Sequence, residues 1–151
     1  MKRLISLLFF PFRSVGNIIF LIRNLKTAKH LSLLFDNEHS IHFKDEKGIL
    51  RLVIPFNNLY YIESLDNYVN IFYKNKEQIE HLILRKSLKS IEEEYSDFPL
   101  VRCHRSFVVN IKKVKVLRKE KEGTSLGFDH LGLIDLPVSK TYFENVKGSF
   151  N

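Results

Sequence analysis

Leu100-Val-Arg-Cys-His-Arg-Ser-Phe-Val-Val-Asn110 is the stretch on which the reading of this chain turns. Its ends read as strand, with Leu100 and Val101 on one side and Phe107, Val108 and Val109 on the other. Between them lie Arg102, Cys103, His104, Arg105 and Ser106, a polar group that no strand buries unaided. Side chains alternate across an extended backbone, so Arg102, His104 and Ser106 are expected on one face and Cys103, Arg105 and Phe107 on the other. Guanidinium and hydroxyl donors in that mix suit an anion, phosphate first.

Working outward, the body reads as mainly β. Ser40–Phe43 and Leu50–Ile54 flank the Asp45-Glu46-Lys47-Gly48 turn, a hairpin signal. Leu59–Ile62 and Tyr68–Tyr73 follow, separated by Ser64-Leu65-Asp66-Asn67, and Lys74-Asn75-Lys76 turns the chain into Gln78–Leu84. Helical spacing of Leu88, Ile91 and Tyr95 predicts a helix over 87–95 capped by Ser87, with Glu92-Glu93-Glu94 as a solvated face. Val114–Leu117 and Ser125–Phe128 should pair across Lys121-Glu122-Gly123. Leu131–Leu136 reads as the last strand, and Ser139 as the cap of a short terminal helix through Tyr142, Phe143 and Val146. Many short strands at close spacing with few helices indicate an all-β sandwich or barrel.

Two domains or segments are expected, 1–36 and 37–151. The chain has 151 residues, 44% hydrophobic and 13% aromatic, enough for a core. Its formal charge is +7, but residues 1–36 carry six cations against Asp36, a net +5, leaving +2 for residues 37–151. Net charge is therefore a weak argument for a nucleic-acid partner, and local clustering must carry it. Cys103 is the only cysteine, so no intrachain disulfide forms, as in a reducing cytoplasm. Cys103 and His104 point apart when extended, which makes neither a metal pair nor a nucleophile–base dyad; Cys103 reads as a small buried hydrophobe.

From Leu4 to Ile22 the chain is nearly all apolar, interrupted by Pro11, Arg13 and Gly16. A central arginine costs ~2.5–3.5 kcal/mol on insertion scales, and a clean span needs roughly twenty apolar residues, so the segment falls short of one. Basic flanks at Lys2, Arg3, Arg23, Lys26 and Lys29 suit anionic headgroups. A secretory signal fits poorly. The hydrophobic helix expected over 1–36 has three readings: a membrane-associating element at the inner face of the cell membrane or a short spanning one, packing on a partner or second copy, or docking on its own domain.

Arg102-Cys-His-Arg-Ser-Phe-Val-Val-Asn110 resembles the signature segment of the LytTR family, the DNA-binding domain of many bacterial transcriptional regulators. Three further pieces stand in the family's order: Leu59-Tyr-Tyr-Ile-Glu-Ser-Leu-Asp-Asn-Tyr-Val69, Leu84-Arg-Lys-Ser-Leu-Lys-Ser-Ile-Glu92 and Leu136-Pro-Val-Ser-Lys-Thr-Tyr-Phe143. The resemblance covers about Ser40 to the C-terminus. It implies a LytTR-type elongated stack of small antiparallel sheets with one or two short helices, and DNA read by loops in neighbouring major grooves. The body indeed lacks a basic recognition helix with a preceding turn. The family usually joins this domain to a phosphoacceptor receiver or a membrane segment; the forty residues ahead of it are expected to be too few for a receiver.

Carried over residue by residue, the resemblance implies base contacts at Asn67, Arg105 and Lys140. An asparagine amide pairs with adenine, and a guanidinium forks onto guanine or phosphate. At Lys140 the family favours arginine, and lysine keeps the charge without the planar fork. Backbone contacts are implied at Arg85, Ser87 and Ser106, with Lys86 and Lys89 beside them; Lys112, Lys113 and Lys115 are nearby in sequence. Asp66, Tyr68, Arg102, His104 and Ser139 are expected to support the contact loops, His104 as an orienting or packing group and Asp66 orienting a neighbour or accepting from cytosine. The leading function is thus a non-catalytic regulator that binds double-stranded promoter repeats as a homodimer and needs no cofactor or metal. The alternative is a membrane-surface scaffold whose β domain binds a protein. An enzyme is the weakest class, because no phosphate-cradling glycine loop, metal-ligand spacing or catalytic constellation stands out.

Overall fold

The computed structural model describes residues 39–150, so the expected hydrophobic helix over 1–36 and its three readings lie outside the described residues. Within 39–150 the chain forms β1 (Ser40–Lys44), β2 (Leu50–Pro55), β3 (Leu59–Leu65), β4 (Tyr68–Asn75) and β5 (Gln78–Leu84). Helix α1 (Leu88–Glu94) follows, then β6 (Leu100–His104), β7 (Phe107–Asn110), β8 (Val114–Lys119), β9 (Thr124–Phe128), β10 (Leu136–Val138) and helix α2 (Phe143–Gly148). The strands make a β1-β2 hairpin, a five-stranded sheet in the order β5-β4-β3-β7-β6, and a three-stranded sheet in the order β10-β9-β8. Every pairing is antiparallel.

The five-stranded sheet is the middle layer, which explains the apolar runs Tyr60-Tyr61-Ile62 and Phe107-Val108-Val109. Ile62, Val69, Ile71 and Val108 face a core completed by Ile41 and Phe43 of β1 and Leu88 and Ile91 of α1. Their neighbours Tyr61, Phe107 and Val109 face a second core with Leu126, Leu136 and Val146. A sheet covered on both faces replaces polar–apolar alternation by continuous hydrophobicity. Local chemistry sets the turns and caps. The Asp45 carboxylate accepts from the amides of Lys47 and Ile49, both at 2.9 Å, and Gly48 takes φ +78°. The Ser87 hydroxyl accepts from the Ser90 amide at 3.1 Å, as a helix cap should.

Three expectations change. The strand expected over Leu131–Leu136 is confined to Leu136–Val138. Ahead of it the chain makes a tight turn, in which the Leu133 amide donates to the His130 carbonyl and the Gly132 amide to His130 Nδ1. Hydrophobicity there finds no neighbouring strand, and Leu131 stands fully in solvent. The terminal helix begins at Phe143, with Tyr142 at its cap and no side-chain cap bond. Ser139 instead uses its backbone: its amide donates to the Cys103 carbonyl at 3.0 Å, and its carbonyl accepts from the Tyr142 amide. Finally, Cys103 and Phe107 do share one core, but strict alternation from 102 to 107 fails. Strand β6 runs on to His104, and Arg105-Ser106 form a two-residue hairpin turn.

Asn110 ties the layers together. Fully buried, it donates through Nδ2 to the Phe56 and Leu59 carbonyls at 3.2 and 2.9 Å and accepts from the Lys112 amide at 3.1 Å. Asn110→Ala removes all three bonds inside the protein and should cost about 3 kcal/mol in urea unfolding, the midpoint falling with the slope unchanged.

Candidate nucleic-acid interface

The turns named by the sequence gather at one end of the five-stranded sheet, and strand direction puts them there. Strands β3, β5 and β6 all run toward that end. The β3–β4 turn (Asp66-Asn67), the segment after β5 (Arg85 to Ser87) and the β6–β7 turn (Arg105-Ser106) therefore emerge together. The Ser64 amide donates to the Ser106 carbonyl at 2.8 Å, locking the first turn to the third. Leu65 pairs with Tyr68 across a two-residue turn in which Asp66 takes φ +52°, and Asn67 is left exposed. At the usual strand spacing the Asn67 and Arg105 turns are about 10 Å apart, within the span of one major groove.

Arg102 builds the β6–β7 turn. Its Nε donates to the His104 carbonyl at 2.7 Å, one terminal nitrogen meets the Glu92 carboxylate at 2.5 Å, and the other donates to the Arg105 carbonyl. Its guanidinium also lies 5.9 Å from the Tyr142 ring centre. His104 Nδ1 accepts from the Ser106 amide at 3.2 Å while its ring packs against Phe107. Thus one guanidinium ties strand, turn and both helices, leaving the Arg105 side chain exposed. The neighbouring Cys103 is buried, its thiol pushed up to about 12 by burial, so it packs as a small hydrophobe with negligible thiolate at neutral pH.

Lys140 joins the same end through β10. Because the Ser139 amide holds the Cys103 carbonyl, the Ser139-Lys140 segment leaves β10 beside the end of β6, and Ser139 shares a shallow hollow with His104. Lys140 is exposed and lines a second hollow with Lys119, Lys121 and Phe143. Lys119 and Lys121 belong to the β8–β9 hairpin, which the sequence predicts, but its place beside Lys140 follows from the long-range pairing of β9 with β10. Glu120 and Glu122 share that tip, and Arg118 pairs with Asp135.

On the other side, Arg85, Lys86 and Ser87 line one hollow with Asp66, Asn67 and Glu46. Arg85 pairs with Glu46 at 3.1 Å, both about half exposed. Lys86 is more deeply engaged: its ammonium pairs with Glu94, donates to the Lys44 carbonyl at 3.1 Å and sits 5.8 Å from the centre of the Tyr95 ring. Lys89 is exposed, 3.9 Å from Glu93. Lys112, Lys113 and Lys115 do not join these residues. They follow Asn110 at the other end of β7, roughly 15 Å away along the strand.

A family model described as the LytTr DNA-binding domain matches residues 51–151. The chain is similar to an uncharacterized response regulatory protein of Vibrio cholerae, at 26% identity over 103 residues, or 68% of this chain and 39% of that one. It is also similar to the transcriptional regulatory protein BtsR of Escherichia coli, at 27% identity over 128 residues, or 83% and 50% of the two chains. It thus spans half or less of the length of these curated relatives. Among solved structures, a LytTr DNA-binding domain from Bacillus cereus has the same fold, with a TM-score of 0.54 and 23% identity over 76% of this chain and 98% of that one.

If Arg102 organises the turn, Arg102→Ala should cost about 1–2 kcal/mol. Hydrogen exchange should quicken at the Ser106 amide far more than in the strand centres, and equal acceleration throughout would argue against this local role.

Proposed function

We propose that this chain, which belongs to the LytTR family of DNA-binding domains, is a bacterial transcription regulator that reads double-stranded promoter DNA with the loops at one end of its central sheet. The family is one of DNA-binding domains and not an enzyme class. What supports the finer reading is the company that Asn67, Arg105 and Lys140 keep. All three are exposed on turns at the same end of the fold, linked through the Ser64–Ser106 and Ser139–Cys103 hydrogen bonds.

In this reading Asn67 offers its amide to adenine, and Arg105 forks onto guanine. Lys140 supplies a point charge at the third contact, stronger toward phosphate than in telling bases apart. Arg85, Ser87, Ser106 and Lys89 hold the sugar-phosphate backbone and fix register. Lys86, engaged by Glu94 and Tyr95, steadies α1 beneath that contact, while Arg102, His104 and Ser139 position the turns. Asp66 and Tyr68 shape the first turn. The regulator works in the cytoplasm, as two copies on two repeated elements in the same orientation. Residues 1–36 are a basic, hydrophobic stretch of sequence ahead of the DNA-binding domain.

Gel shifts on DNA flanking the chain's own gene, run from roughly 50 to 200 mM salt, test the reading, because released counterions make phosphate-mediated affinity fall steeply over that range. An affinity indifferent to salt would reject it. Arg105→Ala should weaken specific binding by ~1–3 kcal/mol with the fold intact. Lys140→Arg should raise the ratio of specific to random-sequence affinity, since it restores the bidentate fork while keeping the charge.

A further inference from the structure

The end of the domain opposite these turns carries a second surface that the DNA-reading loops do not use. The 3-10 turn Ile111–Lys113 and the start of β8 bring Lys112, Lys113 and Lys115 around Tyr60 and Asp129 in one hollow. The Lys113 ammonium lies 5.4 Å from the Tyr60 ring centre. Burial holds its pKa below the usual lysine range, and the charges of Lys115 and Lys74 add to that. Like charges crowded on an aromatic floor oppose their own ionisation until an anion joins them.

Apolar surface adjoins this charge. Asp129 also lines a neighbouring hollow with Phe128, His130 and Leu131, and the Tyr60 ring meets those of Phe128 and His130 at 5.7 and 6.1 Å. Leu131 is fully exposed at the apex of the turn that His130 holds. An isolated surface leucine needs no explanation. A leucine presented on a tied turn beside crowded lysines and an aromatic floor is the complement of a peptide that carries both carboxylates and apolar side chains. DNA phosphates would use the lysines and gain nothing from the leucine.

We propose that the surface formed by Lys113, Lys115, Tyr60 and Leu131 is a docking site for an acidic, apolar-containing segment of a partner protein. It faces away from the Asn67, Arg105 and Lys140 turns, so a partner can dock while those turns are occupied. The site goes beyond the DNA-reading proposal and does not require it. A regulator held on a duplex by one end would present this surface to other proteins.

The test uses the full chain and a fluorescent peptide of alternating glutamate and leucine, read by anisotropy with and without saturating promoter duplex. The peptide should bind in both cases, and Lys115→Glu and Leu131→Ser should each weaken it at least about fivefold, as expected when a residue worth more than 1 kcal/mol is lost. Both side chains are exposed, so the variants should keep the parent's melting temperature. An all-glutamate peptide should bind more weakly and ignore Leu131→Ser. The proposal falls if the duplex displaces the peptide, or if Leu131→Ser leaves its affinity unchanged. It also falls if Lys115→Glu lowers duplex affinity and flattens its salt dependence, which would assign the lysines to DNA. A wild-type chain that binds no duplex but still binds the peptide would reject the DNA-reading proposal alone.

Discussion

Burial of the five-stranded sheet on both faces is the constraint from which the rest follows. Ile62 and Val108 belong to one core, Tyr61 and Val109 to the other. Because side chains alternate, a slip of one residue in β3 or β7 would exchange the two cores, bringing residues sized for one into the other. The register Tyr61–Val109, Ile62–Val108, Glu63–Phe107 is therefore strongly determined. That register in turn decides how far each strand runs before it turns. The Arg105 turn stands level with the Asp66-Asn67 turn in this register, and the Ser64–Ser106 hydrogen bond closes the arrangement.

At the end so defined, several cations are held by carboxylates: Arg85 by Glu46, Arg102 by Glu92, Lys86 by Glu94 and Arg118 by Asp135. These pairs differ in consequence. Arg102 is largely covered and also bonds two backbone carbonyls, so its charge fixes a turn. Arg85 and Glu46 are both half exposed, and pairs in water are worth only ~0–1 kcal/mol, so a phosphate can take the guanidinium at little expense. Cations of one sign and type thus divide into those that shape the end of the sheet and those free to change partners. Burial draws the line between them.

Much of the scaffold was legible in the sequence because its signals are local. The Asp45-Glu46-Lys47-Gly48 turn, the Ser87 cap and the spacing of Leu88 and Ile91 each act within a few residues, and the folded chain keeps them. The errors arise where distant segments decide. Leu131–Leu136 reads as strand by composition, but β9, already paired with β8 on one edge, takes a partner on the other only at Leu136–Val138. Ser139 has the right side chain for a cap, yet docking its backbone on Cys103 delays the helix to Phe143. Lys112 and Lys113 follow the central stretch in sequence and still lie at the far end, because β7 carries the chain the length of the sheet between them and Arg105. The same effect hid Lys119 and Lys121, which return beside Lys140 only once β8 has run back.

The small net charge of the body then acquires a meaning. Residues 37–151 carry only +2, although the ends of the central sheet hold many of its cations. A domain that was basic all over would bind any duplex by counterion release, and sequence would matter little. Here the carboxylates of Glu46, Glu92, Glu94, Glu120, Glu122 and Asp135 are interleaved with the lysines and arginines at that end of the sheet. Interleaved carboxylates of this kind lower the long-range attraction that residues 37–151 can exert on a polyanion. On the proposed reading, tight association would rest on contacts that only close approach can make, namely the Asn67 amide and the Arg105 fork meeting base edges while Arg85 exchanges Glu46 for phosphate. Weak general attraction with demanding local geometry is the combination by which, on that proposal, a small domain would discriminate among sites without a recognition helix.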